Sequence, residues 1–171
     1  GKIVKRLVRE CPIPVMTIPP VAIFRDMSKV LFTTNYYKGD LMALKEFIHL
    51  FNPVQPKINI IHVSTKPDVN KYLEGESFLE SVNKVVDYGP ISHKILSSTK
   101  VIGGLKEYII INQPNLLVMT YKKHGVWYDL FHVDKIKKME LHSSTPVMTY
   151  NEISLGRLAE NDISMVTDER E

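Results

Sequence analysis

The segment Asn115-Leu116-Leu117-Val118-Met119-Thr120-Tyr121-Lys122-Lys123-His124-Gly125 decides the fold. Leu116 to Met119 form a continuous apolar run of strand length. The polar, basic turn behind it lies where an open α/β sheet presents its ligand-binding loops. Downstream, Leu130, Val133, Ile136 and Met139 recur at three-residue spacing, and Pro146-Val147-Met148-Thr149-Tyr150 is a second apolar strand opened by a proline. Strand, crossover helix, strand is the unit these residues describe.

Working outward, the same unit recurs upstream. Lys29-Val30-Leu31-Phe32-Thr33-Thr34 reads as a strand covered on both faces, and Asp40 as the N-cap of a helix carrying Leu41, Leu44, Ile48 and Phe51 on one stripe. Asn52-Pro53 stops that helix before the strand Lys57 to Val63. Pro67 to Val86 is expected as a second helix, Ile91 to Ser97 as an alternating edge strand, and Lys100 to Asn112 as a helix weakened by Gly103-Gly104. Short connections between alternating strands and helices predict a parallel sheet. From Ile153 onward apolar density falls, and the segment is expected to dock or to stay loosely ordered.

Composition narrows the class. A chain of 171 residues, 44% hydrophobic and 24% charged, builds one core with attachments. Twenty-two basic against 19 acidic residues leave +3, a balance that favours neither nucleic acid nor a membrane surface as partner. Cys11 has no second cysteine to pair with, which fits a reducing, cytoplasmic setting. No apolar run approaches the ~18 residues that span a bilayer. His49, His62, His93, His124, His132 and His142 are scattered without metal-ligand spacing, and no nucleophile elbow is present, so the expectation is that the chain is not an enzyme. His62, inside an apolar strand, is expected to be hydrogen-bonded rather than a base.

The N-terminal residues repeat the later ones. Gly1 to Arg9 reads as a basic amphipathic helix, closed by Pro12 and Pro14, and Pro14 to Ile18 as a short strand. A shift of 132 positions lays Pro14-Val15-Met16-Thr17 on Pro146-Val147-Met148-Thr149 and Lys5 on Lys137. The expected organisation is therefore the last helix and strand of a preceding repeat at 1–20, a linker at 21–28, one domain at 29–152, and a tail at 153–171.

The strand Val30-Leu31-Phe32-Thr33-Thr34-Asn35, the element order and the ending in Ser-Thr-Pro-Val-Met resemble the universal stress protein family, and Gly1 to Val15 is similar to that family's closing helix and strand. The resemblance implies a doubly wound α/β fold of the adenine nucleotide alpha hydrolase type, with a five-stranded parallel sheet in the order 3-2-1-4-5. It implies ATP or AMP as ligand in some members, and pairing through the last strand. The nucleotide-binding positions expected for such a ligand are Thr33, Thr34, Asn35 and Val63, with Lys122 and Lys123 placed to neutralise an anion and Gly125 in the phosphate turn after a shift of register. The glycines of the family's phosphate loop fall on Thr120, Lys123 and Val133, and its hydroxyl on Asp134; none matches, so the loop is degenerate. Two functions follow as expectations: a regulatory interaction module in stress response without a cofactor, or an ATP- or AMP-binding switch. The interface expected for the first is Pro14, Val15, Met16 and Thr17 with Pro146, Val147, Met148 and Thr149, joined within one chain as in tandem proteins or between two chains as a homodimer.

Overall fold

The computed structural model describes residues 2–23, 26–122 and 144–159. Six strands form one sheet: β1 (Val15–Thr17), β2 (Lys29–Thr33), β3 (Lys57–Ser64), β4 (Ile91–Ser97), β5 (Leu116–Tyr121) and β6 (Val147–Asn151), in the spatial order β1-β6-β5-β2-β3-β4. Helices α1 (Lys2–Glu10), α2 (Lys38–Phe51), α3 (Val69–Val85) and α4 (Val101–Asn112) accompany them, with a further helical run at 152–159. From β6 to β4 all neighbours are parallel, which is the expected order 3-2-1-4-5. The sixth strand is the addition: β1 pairs antiparallel with β6, so β6 is an interior strand of the sheet.

Burial follows from that order. β2 is buried from Val30 to Thr33 and β5 along its whole length, because both lie mid-sheet with packing on two faces, whereas β4 at the edge alternates. On one face Val30, Phe32, Ile58, Ile60 and Val118 meet α2, α3 and Leu155 of the run 152–159. Leu31, Ile61, Val63, Leu117 and Met119 meet α4 on the other. The sheet is doubly wound.

Gly104 sets how closely α4 approaches the sheet. A Cβ on Gly104 would stand 2.7 Å from the Ser98 Cβ and 3.1 Å from a Val63 methyl, so α4 lies against the end of β3 only because that residue lacks one. Of the two glycines that weaken this helix by propensity, Gly104 is the one that lets it dock.

Asn151 opens the run 152–159. Its Oδ1 accepts from the Ser154 amide at 2.8 Å, and the Ser154 hydroxyl accepts from the Asn151 amide at 2.9 Å, a reciprocal cap. Its Nδ2 donates to the carbonyls of Val8 at 3.1 Å and Cys11 at 2.8 Å, which ties the end of α1 to β6. Residues 153–159 thus dock, with Leu155 buried; the rest of the expected tail, and the expected helix through Leu130 and Met139, lie outside the described residues.

Candidate functional site

Strand order reverses between β2 and β5, the place where an open α/β sheet leaves a crevice beyond its carboxyl ends. The turn Thr34-Asn35-Tyr36-Tyr37 leaves β2 there and enters α2, while Thr120 and Lys122 arrive from β5. Asp40 lies between them. It is not the N-cap its sequence position suggests: α2 begins at Lys38, Tyr37 is the capping residue, and Asp40 is the third residue of the helix. From that position its carboxylate reaches back over the turn. One oxygen accepts from the Asn35 amide at 2.8 Å, the Thr34 hydroxyl at 3.0 Å and the Tyr37 amide at 3.2 Å; the other accepts from the Thr120 hydroxyl at 2.5 Å.

Asp40 is 1% exposed, and Thr34 and Thr120 are buried with it. A carboxylate leaves water without large loss only when donors replace its hydration, and here four do, two of them amides at a helix N-terminus. The site therefore carries its own anion. The Thr34 hydroxyl also accepts from the Tyr36 amide at 2.8 Å, which completes the turn.

The residues implicated by sequence divide into three groups. Thr33, Thr34 and Val63 are buried in the sheet, the Thr33 hydroxyl 3.4 Å from the Val118 carbonyl and Val63 under Gly104. Asn35 and Lys122 are half-buried at the rim, where the Lys122 ammonium stands 3.6 Å over the Tyr37 ring, a cation–π contact. Lys123 and Gly125 lie outside the described residues. Asp40 and Thr120 complete the crevice; the sequence reading gave Asp40 only a local capping role.

Beside the crevice a second cluster emerges that linear spacing concealed. Tyr36 adopts φ 65°, the left-handed region that a bulky residue enters at a cost. In that conformation its ring lies 4.7 Å from the His62 ring, and its hydroxyl is hydrogen-bonded to His93 Nε2 at 3.0 Å. His62 Nδ1 faces the Thr34 carbonyl at 2.9 Å, and since a carbonyl only accepts, Nδ1 carries the proton. His62 is thus an interior hydrogen-bonding residue, as its apolar strand suggests. Gly75 of α3 makes room: a Cβ there would stand 2.9 Å from His93 Cε1. Burial, then the charge of Glu74, pushes the Tyr36 hydroxyl up and keeps it neutral.

Burial, then His62, lowers the His93 pKa from its ordinary 6.5. The folded protein therefore holds His93 neutral while the unfolded chain binds a proton more readily. This contribution to stability is complete above pH 6.5 and is lost as pH falls through the lowered value. Urea midpoints are expected to drop between pH 7.5 and 5, and His93→Gln, which can still bond the Tyr36 hydroxyl, is expected to flatten that drop. An identical slope in the variant would remove His93 as its cause.

Among the described residues no three His, Cys, Asp or Glu side chains gather as a metal site requires, and no helix is long and apolar enough to cross a membrane. No protein-family model and no curated protein matches the sequence. Solved structures do match in fold. A universal stress protein in complex with cAMP superposes with TM-score 0.52 at 14% identity, over 72% of this chain and 95% of its own. A universal stress protein from Archaeoglobus fulgidus superposes with TM-score 0.57 at 18% identity, over 85% of this chain but 52% of its own, so this chain spans about half the length of that relative.

Proposed function

We propose that this chain, which has the fold of universal stress proteins, is a regulatory interaction module of stress response that works by binding protein partners and catalyses no reaction. What carries the reading is Asp40: the Asn35 and Tyr37 amides and the Thr34 and Thr120 hydroxyls at the switch-point crevice end on its carboxylate, leaving those donors engaged and a negative charge where a phosphate would approach. The apolar surface for partners lies elsewhere. Ile3, Leu7, Ile13, Ile18, Val21 and Ile23 are exposed along α1, β1 and the segment after them, at the free edge of the sheet. A tandem arrangement, in which α1 and β1 close a preceding repeat, would cover that surface, and the A. fulgidus relative has a chain long enough to hold two such units. A cytoplasmic setting and the absence of nucleic-acid or membrane partners belong to the same reading.

A second reading is an adenine nucleotide switch, ATP or AMP held between Asn35 and the lysines after β5. The position of Lys122 over Tyr37 at the rim and the cAMP carried by one structural neighbour favour it. Calorimetric titration of ATP and AMP into the purified chain decides between the two. Under the first reading no saturable heat is expected up to about millimolar nucleotide, the range where binding is worth about 4 kcal/mol. Micromolar binding that weakens at least tenfold in Lys122→Ala would establish the switch instead.

A further inference from the structure

We propose that Tyr36 is a removable plug, and that the slot its ring fills is a binding site for a phenol, a planar ring with a hydroxyl at its far edge. This adds a site beside the crevice and depends on neither reading of the crevice itself.

The first observation is the backbone. Among the described residues three non-glycine positions have positive φ: Tyr36 at 65°, Gln55 at 49° and Gln113 at 46°. Gln55 and Gln113 each follow a helix, and their amides bond back to the Asn52 and Ile109 carbonyls, the ordinary use of a left-handed residue. Tyr36 ends no helix; it lies in the turn from β2 to α2. An aromatic residue enters that region at a cost, so contacts of its side chain hold it there.

The second is what the ring meets. Its centroid lies 4.7 Å from that of His62 and 5.7 Å from that of Phe78, both tilted against it, and the His93 ring meets it edge-on at 5.8 Å. At the far edge the hydroxyl bonds His93 Nε2 at 3.0 Å, and either tautomer of His93 makes that bond because a hydroxyl both donates and accepts. A Cβ on Gly75 would stand 3.1 Å from the Tyr36 hydroxyl as well as 2.9 Å from His93 Cε1, so the deep end of the slot exists because α3 carries no side chain there. Ring faces, a partner for the hydroxyl and a glycine at the end match a phenol.

The third is that the ring can leave without the turn. The Asn35 and Tyr37 amides on either side are held by Asp40, and the Tyr36 amide by the Thr34 hydroxyl, all through backbone atoms of the turn. Tyr36 is half-buried rather than sealed in the core. An incoming phenol brings no backbone strain, but it competes with a tethered ring, so the native chain binds it more weakly than a chain whose slot stands open. The phenol arrives either as a free molecule or as the side chain of a tyrosine on a partner protein.

Tyr36→Gly empties the slot and suits φ 65°. With p-cresol, the tyrosine side chain as a free molecule, calorimetry and thermal unfolding are expected to show saturable binding and a raised Tm in this variant, and binding about tenfold or more weaker in the wild type, where Tyr36 competes. Adding His93→Leu should lower the preference for p-cresol over toluene about tenfold, the upper range for one hydrogen bond. A folded Tyr36→Gly chain without saturable binding overturns the proposal. So does a preference that His93→Leu leaves unchanged, or equal binding to the wild type, since the ring then sits elsewhere. N-acetyl-tyrosinamide separates the sources: affinity equal to that of p-cresol assigns the slot to a partner's tyrosine, and binding of p-cresol alone assigns it to a free phenol. Should Tyr36→Gly not fold, the histidine ring resonances of the wild type decide. Those of His62 and His93 are expected to shift together as p-cresol rises into the millimolar range, and fixed resonances would end the idea.

Discussion

Asp40→Ala is expected to lower the free energy of unfolding by about 4 kcal/mol, a large share of the roughly 5–15 kcal/mol that holds an ordinary domain folded. The side chain itself contributes little apolar area. Its removal strands the buried Thr34 and Thr120 hydroxyls and the amides of half-buried Asn35 and of Tyr37, the last at an exposed position. Each buried donor left without an acceptor costs about 1–3 kcal/mol, partly recovered where water can enter. Asp40→Asn is expected to fall about midway, because it keeps the shape but turns one acceptor into a donor facing donors. Thr120→Val, which removes a single donor, should cost about 1 kcal/mol. Urea unfolding of the three variants checks the series. Equal losses in Asp40→Asn and Thr120→Val would mean that the carboxylate is not the organising group.

Asn151→Ala is expected to cost about 3 kcal/mol by a different route. One amide group joins three segments: it caps the run 152–159 through Ser154 and holds the carbonyls of Val8 and Cys11 at the end of α1. Alanine removes the cap, worth about 1 kcal/mol, and leaves two carbonyls at a helix terminus without their donor. The loss should be uneven. Amide hydrogen exchange is expected to quicken in α1 and in 152–159 while β2, β3 and β5 keep their protection, and a uniform change would show that Asn151 acts through global stability alone.

The order of the sheet was legible because its signals are short-range and repeated. Apolar runs at 29–34, 57–63 and 116–119, each followed by helical spacing, specify parallel strands without tertiary information. What the sequence concealed was side-chain reach. Asp40 fits a helix start equally well as cap or as third residue, and the difference of three positions separates a local turn from a carboxylate that bridges two strands. Tyr36, His62 and His93 lie on three separate elements, and only the left-handed backbone at Tyr36 brings its ring to the histidines. A non-glycine residue leaves no mark of such a conformation in its letter. The repeat of Pro-Val-Met-Thr was legible as identity, but the register in which its two copies pair was not.

The pairing of Thr17 with Val147 closes a contact across 130 residues, and this separation orders events in time. The arm of α1 and β1 leaves the ribosome before β2 to β5 and pairs with β6, which follows all of them. At about 5–20 residues per second, its partner follows on the order of ten seconds later. Contacts so distant in sequence form late, after the β2, β3 and β5 core has its local crossovers. During that interval β1 presents an unpaired edge beside Ile13 and Ile18. Chaperone capture of nascent chains should therefore concentrate on the arm, and synthesis crowded on one message gives it neighbouring chains to meet before its own β6 exists.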